Sequence, residues 1–393
     1  MFDIISVGHI CIDITPSIPE SAGGIKDIFV GGKLINVNNL SLSTGGSVSN
    51  TGVALNRLGI QTCLIAKVGN DILGQTIKAL IVEKGGNCDH IVVSDDESTS
   101  YSVVLAIPGV DRIFLHNPGV NNTFTSRDIN YGLLGDARIM HFGYPTIMRG
   151  MFIDGGSEFI RMLQKAKDTG ITTSVDLSLP DPSSESGRVD WNELLTNAMP
   201  AIDIFMPSIE EIIFMLDRKE YDRLKSIHED ILLSIDIDYI SGLGKKVMDM
   251  GAKIVVFKCG TLGYYVKTCD AQTLGKMGRG IAGNLKDWAE KEIFSGIYEV
   301  DQVVSATGAG DTSIAGFLAG LVKGMSPEEC VNLACGTGAF CVTQYGAVDG
   351  IVHMDKIHKK IRDGWRKKEV KASFLNDGSK TKVIPKNDLY YLE

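Results

Sequence analysis

No apolar run in the 393 residues reaches the roughly 18 that a membrane helix needs. The opening MFDIISVGHI carries neither a basic leader nor a cleavage-site pattern, so a cytoplasmic location without a membrane partner is expected. No CxxC pair occurs among the eight cysteines, at 11, 63, 88, 259, 269, 330, 335 and 341. Scattered through apolar segments, they read as buried thiols of a reducing compartment rather than as disulfides or metal ligands. The seven histidines form no HExxH and no cluster with cysteine, and no GxSxG elbow exists. Zinc hydrolysis and serine acyl transfer therefore lack their machinery. A GxxxxGK[ST] loop is missing, since Gly31, Gly32 and Lys33 lead into Leu34, and GxGxxG fails because Gly308 and Gly310 are followed by Ser313. Both gaps argue against a P-loop NTPase and a dinucleotide-binding dehydrogenase. Positive charge is in deficit as well: 39 Lys and Arg against 48 Asp and Glu leave a net charge of −9, with no long basic run. Nucleic acid is not an expected partner; a small molecule is. Internal repeats and low-complexity segments are also absent.

What is present is an ordinary globular composition, 44% apolar and 22% charged, with length enough for a sizeable core. Short β-type runs at 3–7, 62–68, 137–142, 171–177, 203–207 and 253–258 alternate with helical patterns at 71–84, 156–168, 208–217 and 241–251. That alternation predicts an α/β fold, a central mostly parallel sheet with helices on both faces. Sites of such sheets lie at the carboxyl ends of the strands. Residues 14–44 and 99–117 break the rhythm and read as extra strands, either a small β lid or a meander covering an edge. Segments 218–240 and 270–297 read as insertions, and 366–393, ending KTKVIPKNDLYYLE, as a polar surface tail behind a 1–365 domain.

Two glycine turns each lead into an amphipathic helix. In SATGAGDTSIAGFLAGLVKG, residues 305–324, apolar Ile314, Phe317, Leu318, Leu321 and Val322 share one helical face and Gly324 suits its end. The first amides of a helix have no internal partner and attract anions. Asp311 is then either a cap or a chemical participant. In GGSVSNTGVALNRLG, residues 45–59, a glycine pair opens a second helix closed by Gly59.

Together the two segments resemble the N-terminal and C-terminal signatures of the ribokinase, or PfkB, family of carbohydrate kinases. The resemblance runs from about residue 3 to residue 350 and includes VGNDILGQTI at 68–77 and GVNNTFT at 119–125. It implies a ribokinase-like fold and ATP-dependent transfer of the γ-phosphoryl group to a hydroxymethyl oxygen of a sugar or related alcohol. Asp311 would be the general base and the amides of Gly308, Ala309, Gly310 and Asp311 the anion hole, which suits a reaction that depends mostly on positioning and electrostatics. The helix N-terminus is expected to lower the Asp311 pKa. Asp13, Gly45, Gly46 and Asn50 match substrate-contacting positions, with the glycine pair as hinge; from the residues alone Asp13 is a turn residue and Asn50 a polar helix position. Tyr101, Arg112 and His116 could reach the sugar or form a solvated strand face. Ser208 and Glu211, in SIEE, match the family's NxxE segment, with Glu211 ordering water on Mg2+ and Ser208 replacing Asn. Gly260, Gly263 and Lys258 of KCGTLG and Cys335 match nucleotide-side positions, although a β-turn, a strand-end lysine and a core cysteine are equally open. Some members hold a monovalent cation beside an Asp and a Thr before TGAGD; Ser305 and Ala306 stand there instead, which leaves that cation unassigned. Cys11 replaces a polar sugar contact of ribokinase proper, and Arg149 offers either an acidic-sugar contact or a surface charge. A nucleoside kinase and a non-catalytic sugar-binding or scaffold protein of the same fold are the alternatives; a homodimer is open.

Overall fold

The computed structural model describes residues 2–107, 113–375 and 381–393. Along them run strands β1 Ile4–Gly8, β2 Cys11–Pro16, β3 Leu40–Gly45, β4 Thr62–Ile65, β5 Lys67–Gly69, β6 Val92–Ser94, β7 Tyr101–Leu105 and β8 Ile113–Asn117. They continue with β9 Ile139–Gly143, β10 Thr172–Asp176, β11 Ile204–Phe205, β12 Ile254–Lys258, β13 Tyr264–Thr268, β14 Glu292–Ser295, β15 Val383–Lys386 and β16 Leu389–Leu392. Ten strands make one sheet in the order β15-β16-β14-β13-β12-β11-β10-β9-β1-β4. From β4 to β12 neighbours run parallel, and from β12 outward they run antiparallel.

Every residue of β1, β9 and β10 is buried, the signature of strands covered on both faces. Successive side chains therefore serve opposite layers. Ile5 and Val7 share a core with Phe159 and Met162 of the Ser157–Asp168 helix. Ile4 instead joins Leu55 of the Ser47–Leu58 helix and Phe317 of the Ala309–Val322 helix. Parallel register lines up the carboxyl ends: Gly8 faces Gly143, and Gly143 faces Asp176. Lys258 closes β12 and is bridged to Ser208. A second sheet, β3-β2-β7-β8, grows from this edge where the chain leaves β1.

Three expectations differ from the structure. The single run at 62–68 divides, because β5 leaves the main sheet after Ile65 to pair with β6. The insertion at 270–297 ends in β14, a strand of the main sheet, and 218–240 holds the Arg218–Ile227 helix and the start of the Ile237–Met250 helix. Most consequentially, 366–393 is not a surface tail behind a 1–365 domain. β16 pairs with β14, and Leu389, Leu392 and Phe374 are buried, Phe374 with its ring 4.9 Å from that of Phe294. The physical reason is that β14 would otherwise present an unpaired edge, and a few apolar residues outweigh the lysines around them.

Candidate active site

The Ala309–Val322 helix begins at the carboxyl edge of the sheet. Its N-cap, Gly308, has φ 78°, and a Cβ there would stand 2.4 Å from Ala347 Cβ, so only glycine fits. The Ala309 amide donates to the Ala306 carbonyl at 3.2 Å. That removes one of the four amides expected to face an anion; those of Gly308, Gly310 and Asp311 have no acceptor among the described residues. The Lys258 stem runs alongside Gly310, its Cδ 3.5 Å from where a Cβ would be, an ordinary van der Waals distance.

Asp311 does not cap the helix; it is the third residue within it. Its carboxylate is buried and accepts from Asn50 Nδ2 at 2.9 Å and from the Tyr144 hydroxyl at 2.8 and 2.9 Å. Asn50 comes from the other glycine-led helix, so the two signature segments meet at one bond. Burial raises the Asp311 pKa, against the opposing pull of Asn50, Lys258 and Tyr144. The expected lowering by the helix end is thus corrected. Desolvation of a fully enclosed carboxylate outweighs the dipole, and the acid is a stronger base than the sequence suggested.

Lys258 is no exposed strand-end residue: its side chain is 12% accessible and its ammonium pairs with Asp176. Burial alone would lower its pKa, but Asp176, Glu211 and Asp311 raise it further than burial lowers it. The ammonium therefore stays charged. Burial pushes the Asp176 carboxyl up despite Lys258, with Glu211 and Asp311 adding to the effect. Ser208 caps the Ile209–Leu216 helix in a capping box: its hydroxyl accepts from the Glu211 amide at 3.2 Å, and its own amide donates to Glu211 Oε2 at 2.6 Å. Burial raises the Glu211 pKa, with Lys258 and the Ser208 bonds opposing.

On the small-sheet side, Cys11 lies opposite Gly45 and its thiol donates to Asp13 Oδ1 at 3.6 Å. A Cβ on Gly45 would meet the Asp13 carboxylate at 2.5 Å, and one on Gly46, at φ 91°, the His9 carbonyl at 2.6 Å. His116 Nδ1 bonds the Ser102 hydroxyl at 3.0 Å, and its ring lies 5.4 Å from that of His9. Tyr101 is partly buried in β7, and Arg112 lies outside the described residues. Arg149 is exposed and pairs with Glu185 at 2.7 and 2.8 Å, a surface charge.

On the opposite side, Gly260 (φ 52°) and Gly263 (φ 144°) shape the turn between β12 and β13, where the Cys259 amide donates to the Gly263 carbonyl at 2.9 Å. A Cβ on Gly263 would stand 1.9 Å from the Ser295 carbonyl oxygen. Cys335 is buried with its thiol 3.7 Å from the Ser295 hydroxyl. That hydroxyl also accepts from Lys367 Nζ at 2.7 Å, so the C-terminal segment reaches this side. A cavity of about 790 Å3 lies along the same segment, lined by Val300, Gln302, Phe340, Trp365, Arg366 and Lys368 among others.

Sequence reasoning therefore missed Tyr144, Asp176 and His9. Asp176 had a signal: a carboxylate near the end of the β-type run ITTSVDL. His9 stands in the opening MFDIISVGHI, two residues before Cys11, and Tyr144 precedes Pro145 with no motif to mark it.

A family model described as pfkB family carbohydrate kinase matches residues 1–354. An uncharacterized sugar kinase of Archaeoglobus fulgidus is 26% identical over 299 residues, covering 76% of this chain and 98% of the relative. The probable fructokinase-5 of Arabidopsis thaliana is 24% identical, over 88% of this chain and 94% of its own. Among solved structures, Arabidopsis thaliana ribokinase complexed with ribose and ATP superposes with a TM-score of 0.66 at 20% identity, covering 91% of this chain and 98% of that one. The chain belongs to the pfkB family of carbohydrate kinases and has the ribokinase-like fold.

Proposed function

We propose that the protein transfers the γ-phosphoryl group of ATP to a primary hydroxyl of a sugar, with Asp311 as general base. The observation that carries this reading is a buried carboxylate of raised pKa at a helix start whose free amides adjoin a charged, buried lysine. A base near the acceptor must be ionised yet basic enough to accept a proton, and burial tunes it in that direction. The amides of Gly308, Gly310 and Asp311, with Lys258, would stabilise negative charge on the transferring group. Asp13, Asn50 and the backbone at Gly45 and Gly46 would hold the sugar, while the small sheet excludes water that could compete as acceptor. The turn at Gly260 and Gly263, with Ser208 and Cys335, would border the nucleotide.

Magnesium fits the donors present. Asp176 Oδ2 is buried without a hydrogen-bond partner, and Glu211 carries a second carboxylate on the same edge. The described residues contain no cluster of three or more ligating side chains, so the remaining ligands of an ion here would have to be waters and phosphate oxygens. Asp176 and Glu211 would hold it through water, and when bound it neutralises charge on the phosphates.

The relatives' names make D-fructose and D-ribose the first acceptors to try. ADP release is measured with Mg-ATP and a panel of these sugars, aldonic acids and nucleosides. Turnover of a sugar that Asp311→Asn loses supports the reading. Turnover of nucleosides only, of nothing, or an undiminished Asp311→Asn overturns it.

A further inference from the structure

One residue outside both signatures touches the proposed base directly. The Tyr144 hydroxyl lies 2.8 Å from Oδ1 and 2.9 Å from Oδ2 of Asp311, so a single donor spans the carboxylate. The backbone that brings it there is strained. Tyr144 sits at φ 67°, ψ 43°, the left-handed region, which bulky residues rarely enter. It also precedes Pro145, and a following proline normally drives its predecessor into extended conformation. Strain of this kind survives only where the surroundings over-determine it. Here the Tyr144 amide donates to the Asp176 carbonyl at 3.2 Å, and the His9 ring stands 6.2 Å from the phenol. A glycine would adopt the same backbone freely, so what offsets the strain has to come from the side chain.

A carboxylate offers about four lone-pair sites. Asn50 and Tyr144 between them engage both oxygens, which leaves little freedom of rotation and a single open quadrant. We infer that Tyr144 is a positioning residue for phosphoryl transfer, its phenol fixing the plane of the Asp311 carboxylate so that an unused lone pair faces the acceptor hydroxyl. The inference rests on Asp311 being the base. In the transfer, the acceptor oxygen bonds to phosphorus as the bond from phosphorus to the ADP oxygen breaks, and the acceptor's proton passes to Asp311. Tyr144 keeps its own proton throughout. Burial, and then the charge of Asp311, push the phenol's pKa well up, so it stays a donor.

Tyr144→Phe removes the hydroxyl and keeps the ring. With Mg-ATP and D-fructose or D-ribose, whichever the wild type phosphorylates, kcat is expected to fall about ten- to hundredfold, the loss of one hydrogen bond to a charged group. KM should change little. Because the phenol holds the Asp311 pKa down, the acid limb of the kcat profile should move to higher pH, which a merely structural role would not cause. A second readout needs no turnover: in protein labelled with 13C at the tyrosine ring Cζ, the resonance lost in Tyr144→Phe should shift in Asp311→Asn. A folded Tyr144→Phe with unchanged kcat and an unmoved limb overturns the inference alone, as does a Tyr144 resonance indifferent to Asp311→Asn. A wild type that phosphorylates no sugar overturns the kinase reading and this inference together.

Discussion

His141 lies in the centre of β9 with no accessible surface. Its Nδ1 bonds the Ser174 hydroxyl at 3.0 Å, and Nε2 has no partner. Burial, and then the nearby charge of Lys258, push its pKa down from 6.5 to about 3. In the unfolded chain the same ring titrates near its ordinary value. Between those two values the unfolded state binds a proton that the native state refuses, so stability falls as pH drops below about 6.5 and goes on falling towards 3. From about pH 7.5 to about pH 5 the linkage amounts to about 2 kcal/mol from this one ring. His141→Asn keeps a partner for Ser174 and cannot titrate. Urea unfolding at the two pH values should show the wild type losing about 2 kcal/mol more than the variant, whatever the variant's absolute stability, since carboxylates contribute equally to both. Parallel losses would refute the reasoning, and with it the claim that this layer beneath Lys258 is dry enough to exclude a second positive charge.

Lys258→Met should be damaging twice over. It strips the paired ammonium from the buried Asp176, a loss of about 3–5 kcal/mol in urea unfolding, and it should abolish ADP release with any sugar the wild type uses. Truncation after Trp365 removes the β15–β16 hairpin and the buried Phe374, Leu389 and Leu392. At about 1.5–3 kcal/mol for each buried side chain, a loss of roughly 5 kcal/mol or more is expected by denaturant titration. The bared edge of β14 should also promote association visible in light scattering, whereas a disposable tail would leave both measurements unchanged.

The parts of the fold that could be read from sequence are those with a strong period. β1, β9, β10 and β12 fall within a residue or two of the β-type runs. In β1, β9 and β12 apolar residues predominate, as strands covered on both faces favour, while β10, TTSVD, buries β-branched threonines and a valine with its polar groups. The Ser47–Leu58 and Ala309–Val322 helices carry their turn glycines openly. What the period does not encode is which side chain a strand end brings to the shared edge. Asp176 meets Lys258 only through parallel pairing across β10, β11 and β12. Tyr144 reaches Asp311 from a residue 167 positions away, through a backbone conformation that no residue preference announces. The C-terminal hairpin escaped because four apolar and aromatic residues, LYYL, sit in a lysine-rich context, and pairing with β14 is a long-range event.

The site's electrostatics tie these missed residues to the expected ones. Asp176, Glu211 and Asp311 are all pushed up by burial, and all three act on one ammonium, Lys258. A single positive charge cannot satisfy three carboxylates, and a phosphate chain would add more negative charge at the same helix start. The arrangement is therefore poor as a stability device; replacing a buried ion pair with apolar residues is often neutral or stabilising. Under the proposed function, the imbalance would be met by a ligand that carries its own divalent cation. Asp176 Oδ2, buried and without a partner, is the atom at which that imbalance is most sharply expressed, and a structural ion pair would have covered it. If the proposed function holds, stability withheld at this edge is what a preorganised transfer site costs, offset by the two layers of helices packed behind it.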